Sequence, residues 1–101
     1  MTVSYKLLAI PKNESNFIQL GKTVYKSIYE EGHSKLIKSL LKPFAKEFKE
    51  YDYVFLFVSL NSEEFYRYAT IQLFPKPYKR FSISDIMNKI REQFSARIQD
   101  W

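Results

Sequence analysis

The sequence predicts an α+β fold in which two tandem ββα motifs with pseudo-twofold symmetry form a four-stranded, mainly antiparallel sheet with two helices. Three observations lead to this prediction. The uncharged run from Tyr53 to Leu60 is rich in aromatic and β-branched residues and too short for a membrane span, which is typical of a strand buried on both faces. Other segments alternate apolar and polar residues as strands do, and two segments repeat apolar residues at helical spacing.

The first motif begins with two strands. Val3–Ile10 is largely apolar and ends at Pro11, and the polar residues after it indicate a turn. Phe17–Ile28 alternates between apolar and polar residues, so we expect a half-buried strand in which Gly21 marks a bulge or a close approach of another group. Because a short turn joins the two strands, they are expected to form a hairpin.

The first helix is predicted over Ser34–Glu50, with Ser34 as its N-cap and Pro43 as the point where it kinks or restarts. Apolar residues recur along it at every fourth position: Leu36, Leu40, Phe44 and Phe48. Lysines occupy the opposite face: Lys35, Lys38, Lys42, Lys46 and Lys49. The segment is therefore amphipathic, with one face for the core and one basic face.

The second motif repeats this order. A turn at Asn61–Glu64 follows the uncharged strand, and Phe65–Phe74 is the fourth strand. One face of that strand is expected to hold Phe65, Arg67, Ala69, Ile71 and Leu73, and the other Tyr66, Tyr68, Thr70 and Gln72. Pro75–Arg80 is a basic loop, and the last helix opens with Ser82 as its N-cap. The apolar face of that helix is expected to be Ile86, Ile90, Phe94 and Ile98.

The two halves resemble one unit used twice within a single domain of residues 1–101, with motif 1 at 1–50 and motif 2 at 51–101. At a shift of 48, Tyr5 matches Tyr53 in the strands, and at a shift of 50, Leu40 matches Ile90 in the helices. The alternative is two units that share apolar periodicity without a common structure. The most apolar strands, the first and third, are expected at the centre, which gives the order 2-1-3-4 and a groove where the motifs meet.

A duplicated ββα pattern in a Lys- and Tyr-rich chain of 101 residues without cysteine resembles the small orphan proteins of filamentous viruses that infect hyperthermophilic archaea. The resemblance covers the whole chain and rests on architecture and composition rather than on a functional motif. It implies an accessory protein engaged in protein–protein contacts, located in the cytoplasm of the host cell. No site residue is carried over from it, because there is no motif to match.

Composition argues against most catalytic sites. The chain has one histidine, no cysteine and two glycines, which leaves no thiolate zinc site and no Gly-rich phosphate loop. His33 is expected to be a solvated polar residue near the helix start. The strongest catalytic alternative is a metal-dependent nuclease built from Asp52, Glu63 and Glu64, but adjacent carboxylates in turns are usually just solvated. We therefore expect a protein that is not an enzyme and that needs no metal or cofactor.

The aromatic residues favour binding. They make up 18% of the chain, and core packing accounts for part of them. We expect the others to bind a protein or an extended peptide in the groove between the motifs, with flat contacts from tyrosines and a polar anchor from arginine. The expected contact residues are Tyr25, Tyr53, Tyr66, Arg67 and Tyr68. A homodimer in which a second copy closes the aromatic face is a related alternative.

Nucleic-acid binding is the second hypothesis. The net charge of +5 is modest for such a role, and a lysine face is more often the solvated back of an amphipathic helix. The residues that would contact phosphates are Lys35, Lys38, Lys42, Lys46, Lys76, Lys79 and Arg80. The first residues lack a signal-peptide pattern and no apolar run approaches the length of a membrane span, so we expect a soluble cytoplasmic protein without a membrane partner.

Overall fold

The computed structural model describes residues 2–61, 66–75, 88–90 and 92, with the backbone alone for Tyr66 and Arg67. In chain order the elements are β1 (Thr2–Pro11), β2 (Ile18–Ser27), α1 (His33–Leu41), a 3-10 helix (Ala45–Glu50), β3 (Tyr51–Asn61) and β4 (Tyr66–Phe74). Residues 88–90 and 92 are also helical. The α+β class is therefore confirmed.

The sheet has the order β2-β1-β3-β4, and each pair of neighbours is antiparallel. The predicted strand order is confirmed, and the ends of the four strands lie within two residues of their predicted positions. The hairpin of β1 and β2 is also confirmed. β1 and β3 pair along their whole length, from Thr2 opposite Asn61 to Pro11 opposite Tyr51, so the two halves of the chain meet at the centre of the sheet.

The core lies between the sheet and the helices. Alternate residues of each strand point to this side, because successive side chains of a strand face opposite ways. Fully buried members of the core, with no exposed surface, are Val3, Tyr5, Leu7, Ala9, Ile37, Val54, Leu56, Val58 and Ile90. Ile37 comes from α1, and Ile90 from the helical residues near the end of the chain. The helices thus cover this side of the sheet, which we call the helix side.

The prediction that β3 is buried on both faces is wrong. Tyr53 is 44% exposed, and Phe55 and Phe57 are half-buried, whereas Val54, Leu56 and Val58 have no exposed surface. In the described part of the chain, helices pack against one side of the sheet, so Tyr53, Phe55 and Phe57 reach the other side. This uncharged strand therefore has one face in the core and one aromatic face that is partly exposed.

Gly21 marks a bulge in β2. Leu20 pairs with Leu7 and Val24 pairs with Tyr5, so three residues of β2 lie opposite one residue of β1. Gly21 adopts a φ of +74°, which a glycine reaches without steric penalty. Because the bulge adds two residues, the alternation of faces is preserved, and Leu20 and Val24 both point to the helix side. The predicted bulge is confirmed.

We predict that Gly21→Ala lowers the free energy of unfolding by about 2–3 kcal/mol, since the left-handed backbone is strained for alanine and a Cβ would meet a neighbouring ring. That Cβ would lie 2.9 Å from Cε2 of Phe44. Gly32→Ala is the matched control: φ there is +88°, but the nearest atom, Cε of Lys26, is 3.9 Å away. Urea unfolding followed by circular dichroism should show a loss near 1 kcal/mol for the control. Equal losses in the two variants would show that the Phe44 ring moves aside.

The first helix differs from its prediction at both ends. α1 begins at His33, and its N-cap is Gly32 with a left-handed backbone, so the prediction of Ser34 as N-cap is wrong. α1 ends at Leu41, and the chain resumes as the 3-10 helix after a turn that contains Pro43. The restart at Pro43 is confirmed, because proline lacks the N–H that a continuous helix would need.

The predicted correspondence at a shift of 48 is wrong for the strands. It matches Tyr5, which has no exposed surface, with Tyr53, which is 44% exposed, so it places a core position onto the opposite side of the sheet. A shift of 49 matches Tyr5 with Val54 and Leu7 with Leu56, and all four side chains are fully buried. A single-residue error of this kind exchanges the two faces of a strand.

Several sequence predictions fall on residues outside the described ones. These are most of the turn at 61–64, the basic loop after Pro75, the N-cap Ser82, and Ile86, Phe94 and Ile98 of the last helix. Within the described part, Ile90 of that helix is fully buried, as predicted. None of the described helices has the length and apolar character needed to cross a membrane.

Candidate functional site

The side of the sheet opposite the helix side carries the candidate site, and we call it the outer face. The strand register places on it the alternate residues that do not point into the core. Its described side chains include Gln19 and Tyr25 from β2, Ser4, Lys6, Leu8 and Ile10 from β1, Tyr53, Phe55, Phe57 and Ser59 from β3, and Tyr68, Thr70 and Gln72 from β4. Aromatic and small polar residues dominate this set.

Five aromatic residues of the outer face, which we call the ring cluster, form two contacting groups: Phe17, Tyr53 and Phe55 in one, and Phe57 and Tyr68 in the other. The rings of Tyr53 and Phe55 are stacked with centroids 5.9 Å apart, and those of Phe57 and Tyr68 are stacked at 5.5 Å. Phe17 meets Phe55 edge-on at 5.8 Å. These separations are in the range where aromatic pairs attract each other. The rings are nevertheless accessible, since Phe17 is 54% exposed and Tyr68 is 63% exposed.

Lys6 is the one cation among the described side chains of the outer face. Its Nζ lies 5.2 Å from the ring centroid of Phe57, the residue it faces across the β1–β3 pair. The four strands contain a single carboxylate, Asp52 at the start of β3, and its Oδ2 accepts a hydrogen bond from the backbone N–H of Asn13 at 3.3 Å. The centre of the outer face is therefore positive and carries no described carboxylate.

A row of four residues crosses the sheet beside the ring cluster. Tyr25 pairs with Ser4, Ser4 with Ser59, and Ser59 with Tyr68, so the row runs through all four strands. The hydroxyl groups of Ser4 and Ser59 are hydrogen-bonded to each other. The flanking tyrosines are 69% and 63% exposed, respectively, for Tyr25 and Tyr68. Two small residues at the centre are thus bordered by two accessible aromatic side chains.

The structure brings three of the predicted contact residues to one face, namely Tyr25, Tyr53 and Tyr68. The backbone of Tyr66 pairs with Asn61 and that of Arg67 with Leu60, whose side chain is 2% exposed on the helix side. The side chains of Tyr66 and Arg67 lie outside the described part of the chain. Arg67 therefore lies opposite a helix-side residue in the register, whereas Tyr25, Tyr53 and Tyr68 occupy outer-face positions.

Sequence reasoning missed Phe57, Phe17 and Lys6 as parts of this surface. The signal that would have found them is the alternation within β3, which sets Phe55 and Phe57 on the same side as Tyr53. The signal was hidden because the intervening residues are also apolar, so the strand has no polar face to identify its exposed side. Lys6 then follows from its pairing with Phe57.

The basic surface lies elsewhere. The described lysines of the alternative nucleic-acid site, Lys35, Lys38, Lys42 and Lys46, are all exposed. On α1 the buried side chains are His33, Ile37 and Leu40, so the helix turns its lysines away from the sheet. Lys76, Lys79 and Arg80, the other predicted members, lie outside the described residues.

His33 is a core residue, and the prediction of a solvated histidine is wrong. It has no exposed surface, its Nδ1 lies 2.7 Å from the hydroxyl of Tyr5, and its Nε2 lies 2.9 Å from the carbonyl oxygen of Ser27. A carbonyl oxygen can only accept, so Nε2 carries the proton and Nδ1 accepts the hydrogen bond donated by Tyr5. Burial lowers the pKa of His33 below its ordinary value and raises that of Tyr5.

We predict that stability falls as the pH drops below about 6.5, the ordinary pKa of histidine. The native state keeps His33 neutral, with burial as the main cause of the lowered pKa, whereas the unfolded chain binds a proton. The free energy of unfolding then decreases between about pH 6.5 and the lower native pKa, by at most about 1.4 kcal/mol per pH unit for one proton. Urea unfolding from about pH 7.5 to 5 tests this, with His33→Leu as the variant that should lack the slope. An equally steep slope in that variant would contradict the assignment, since His33 is the single histidine.

The described residues offer no cluster suited to metal chemistry. No three His, Asp or Glu side chains among them lie close enough together to hold a metal ion. Of the nuclease alternative, Asp52 is exposed, while Glu63 and Glu64 lie outside the described residues. Both ring nitrogens of His33 are engaged in hydrogen bonds within the core.

An apolar cleft of about 280 Å³ lies between β2 and α1, within the first half of the chain. Its lining includes Gly21, Val24, Leu36, Leu40 and Phe44. The cleft is therefore separate from the β1–β3 junction, where the halves of the chain meet.

No protein-family model matches this sequence, and we found no match among curated proteins or solved structures. The candidate site therefore rests on its own residues and their geometry.

Proposed function

We propose that this chain is a non-catalytic interaction module that binds a protein or an extended peptide through the outer face of its sheet. The observation that carries the proposal is the accessible ring cluster, which extends from Tyr53 at one end of β3 to Tyr68 on β4. Accessible aromatic surface without carboxylates has the composition of the centre of a protein–protein interface, where Tyr and Phe are enriched and charges are depleted.

The outer face replaces the groove as the proposed position of the ligand. The two halves meet at the β1–β3 pair, and on the helix side this junction is filled by Tyr5 and Leu7 against Leu56 and Val58, all without exposed surface. On the outer face the same junction is bordered by accessible tyrosines. A ligand bound at the β1–β3 junction would therefore lie on the outer face.

Duplication of a ββα unit is part of the same proposal, with a strand offset of 49 in place of 48. Leu7 of β1 then matches Leu56 of β3, and both are fully buried, whereas buried Val3 matches exposed Asp52. An experimental structure of the whole chain tests this by superposing residues 2–50 on 51–101 at that offset. An origin in an archaeal virus and a cytoplasmic location stay predictions from the resemblance.

The experiment that tests the proposed function is a selection of random displayed heptapeptides on the wild-type protein. Peptides that use the outer face should bind a Phe57→Ser, Tyr68→Ser double variant at least about tenfold more weakly, because the two rings form a central part of the contact. The matched control is Tyr29→Ser, since Tyr29 is 82% exposed in the connector between β2 and α1. Thermal unfolding confirms that the variants fold. If every selected peptide binds the double variant as tightly as the wild type, the outer face is not the binding site.

Nucleic-acid binding through the helix lysines is the second candidate. The observation that favours it is the segregation of charge: α1 contains Lys35 and Lys38 and no carboxylate, and Lys42 and Lys46 continue the exposed series. A gel-shift titration with duplex and single-stranded DNA over a salt series tests it, since each neutralised phosphate adds about 0.7–0.9 to the logarithmic salt dependence. Replacing these lysines by glutamine should remove the retardation. If the protein does not retard DNA even at low salt, nucleic-acid binding is ruled out.

A further inference from the structure

The geometry points to a partner segment that presents one carboxylate to Lys6, with apolar or aromatic side chains beside it. This inference rests on the proposed function and specifies the partner's chemistry. It starts from the position of Lys6, which lies on a central strand and faces Phe57 across the β1–β3 pair. The pairs on either side of it are Ser4–Ser59 and Leu8–Phe55, so the ammonium group occupies the middle of the outer face.

Lys6 lacks a counter-charge in the described part of the chain. The ion pair formed by the described residues joins Nζ of Lys26 to Oε2 of Glu30 at 3.5 Å, and the one carboxylate of the strands, Asp52, accepts from Asn13. The Phe57 ring attracts the cation but offers no conventional acceptor for the three N–H donors of an ammonium group. Covering the outer face would therefore remove water from a half-buried cation that needs an acceptor.

A carboxylate from the partner meets this requirement. It supplies both a negative charge and hydrogen-bond acceptors, and such charge-assisted bonds are the stronger kind. An extended segment that runs along β1 and β3 repeats its side chains at about 6.6 Å on one side, which matches the spacing of successive outer-face pairs. A carboxylate at Lys6 then places the residues two positions away over Leu8 and Phe55 in one direction and over Ser4 and Ser59 in the other. The favoured partner sequence therefore has an apolar or aromatic residue two positions from its Asp or Glu.

The same charges disfavour two other occupants of the outer face. A nucleic-acid strand carries a phosphate at every nucleotide and is held by several cations, whereas the described outer face offers Lys6 alone. A second copy packed face to face would bring two Lys6 side chains into one interface without a described carboxylate, and like charges in that arrangement repel. A carboxylate-bearing segment of a different protein fits the observed charge best.

The test uses the heptapeptides selected on the wild-type protein. We expect them to be enriched in one Asp or Glu with an apolar residue two positions away. Changing that carboxylate to its amide should weaken binding at least about tenfold, as should Lys6→Gln or Lys6→Met in the protein. Lys22→Gln is the matched control, because exposed Lys22 lines the cleft between β2 and α1.

Each other outcome overturns the inference in a distinct way. Peptides that depend on Phe57 and Tyr68 but lack an enriched carboxylate would overturn the role of Lys6 and leave the proposed function standing. Peptides that ignore those rings would contradict both. Binding of a twelve-nucleotide poly(dT) that Lys6→Gln abolishes would replace the peptide by a nucleic acid. Light scattering that shows a dimer dissociated by Phe57→Ser would make the occupant a second copy.

Discussion

Replacing His33 by leucine is expected to lower the free energy of unfolding by about 3 kcal/mol at about pH 7.5, a large part of the stability of a domain of this size. Leucine is similar in size, but it removes the acceptor that lies 2.7 Å from the Tyr5 hydroxyl and the donor that lies 2.9 Å from the Ser27 carbonyl oxygen. Tyr5 and His33 are both deep in the core, because neither side chain has exposed surface. Urea unfolding monitored by circular dichroism measures the loss.

A double-mutant cycle separates this hydrogen bond from simple packing. Tyr5→Phe keeps the ring and removes the hydroxyl. In the wild-type background this change removes the hydrogen bond that Tyr5 donates to Nδ1 of His33. When His33→Leu is already present, Tyr5→Phe should cost much less. The loss of unfolding free energy in the double variant should therefore be smaller than the sum of the two single losses by about 1–2 kcal/mol. If the losses add within about 0.3 kcal/mol, the two side chains are not coupled in the way that the geometry indicates.

Neighbouring residues of β3 should respond very differently to truncation. Leu56→Ala is expected to lower the free energy of unfolding by about 3–4 kcal/mol, because Leu56 has no exposed surface and a cavity would form beneath the helices. Phe57→Ala removes a larger side chain but should cost about 1 kcal/mol, since Phe57 is half-buried on the outer face and rests on Lys6 and Tyr68.

This pair of variants tests the assignment of the two faces directly. Thermal and urea unfolding of both variants, compared with the wild type under one set of conditions, give the two losses. A loss for Phe57→Ala as large as that for Leu56→Ala would mean that β3 is buried on both sides. The predicted difference also lets binding experiments use changes at Phe57 without unfolding the protein.

The strands and their order could be predicted because they depend on local alternation. In β4, Ala69, Ile71 and Leu73 are at most 3% exposed, while Tyr68 is 63% exposed, as the pattern of the sequence predicted. Placing the two most apolar strands at the centre was sufficient for the order, since central strands have no exposed edge. The bulge at Gly21 could also be predicted from a local signal, because a glycine interrupts an otherwise regular strand.

The remaining features depend on contacts distant in sequence. The environment of His33 is set by Tyr5, which is 28 residues away, and no local pattern reports such a partner. The exposed side of β3 could not be chosen, because Leu56 and Phe57 are both strongly apolar. The N-cap was misplaced by two residues since Ser34 is a good N-cap by type, whereas Gly32, with its left-handed backbone, is the actual N-cap.

The bulge of β2 also affects how the molecule behaves at high concentration. β2 is an edge strand of the described sheet, and such a strand offers unpaired backbone groups on which another chain can add a strand. Gly21 and the exposed Lys22 interrupt that row near its middle, and bulges and lysines are two devices by which proteins discourage such addition. We therefore expect the β2 edge to resist the addition of a strand from another molecule, although the sheet displays an accessible aromatic surface.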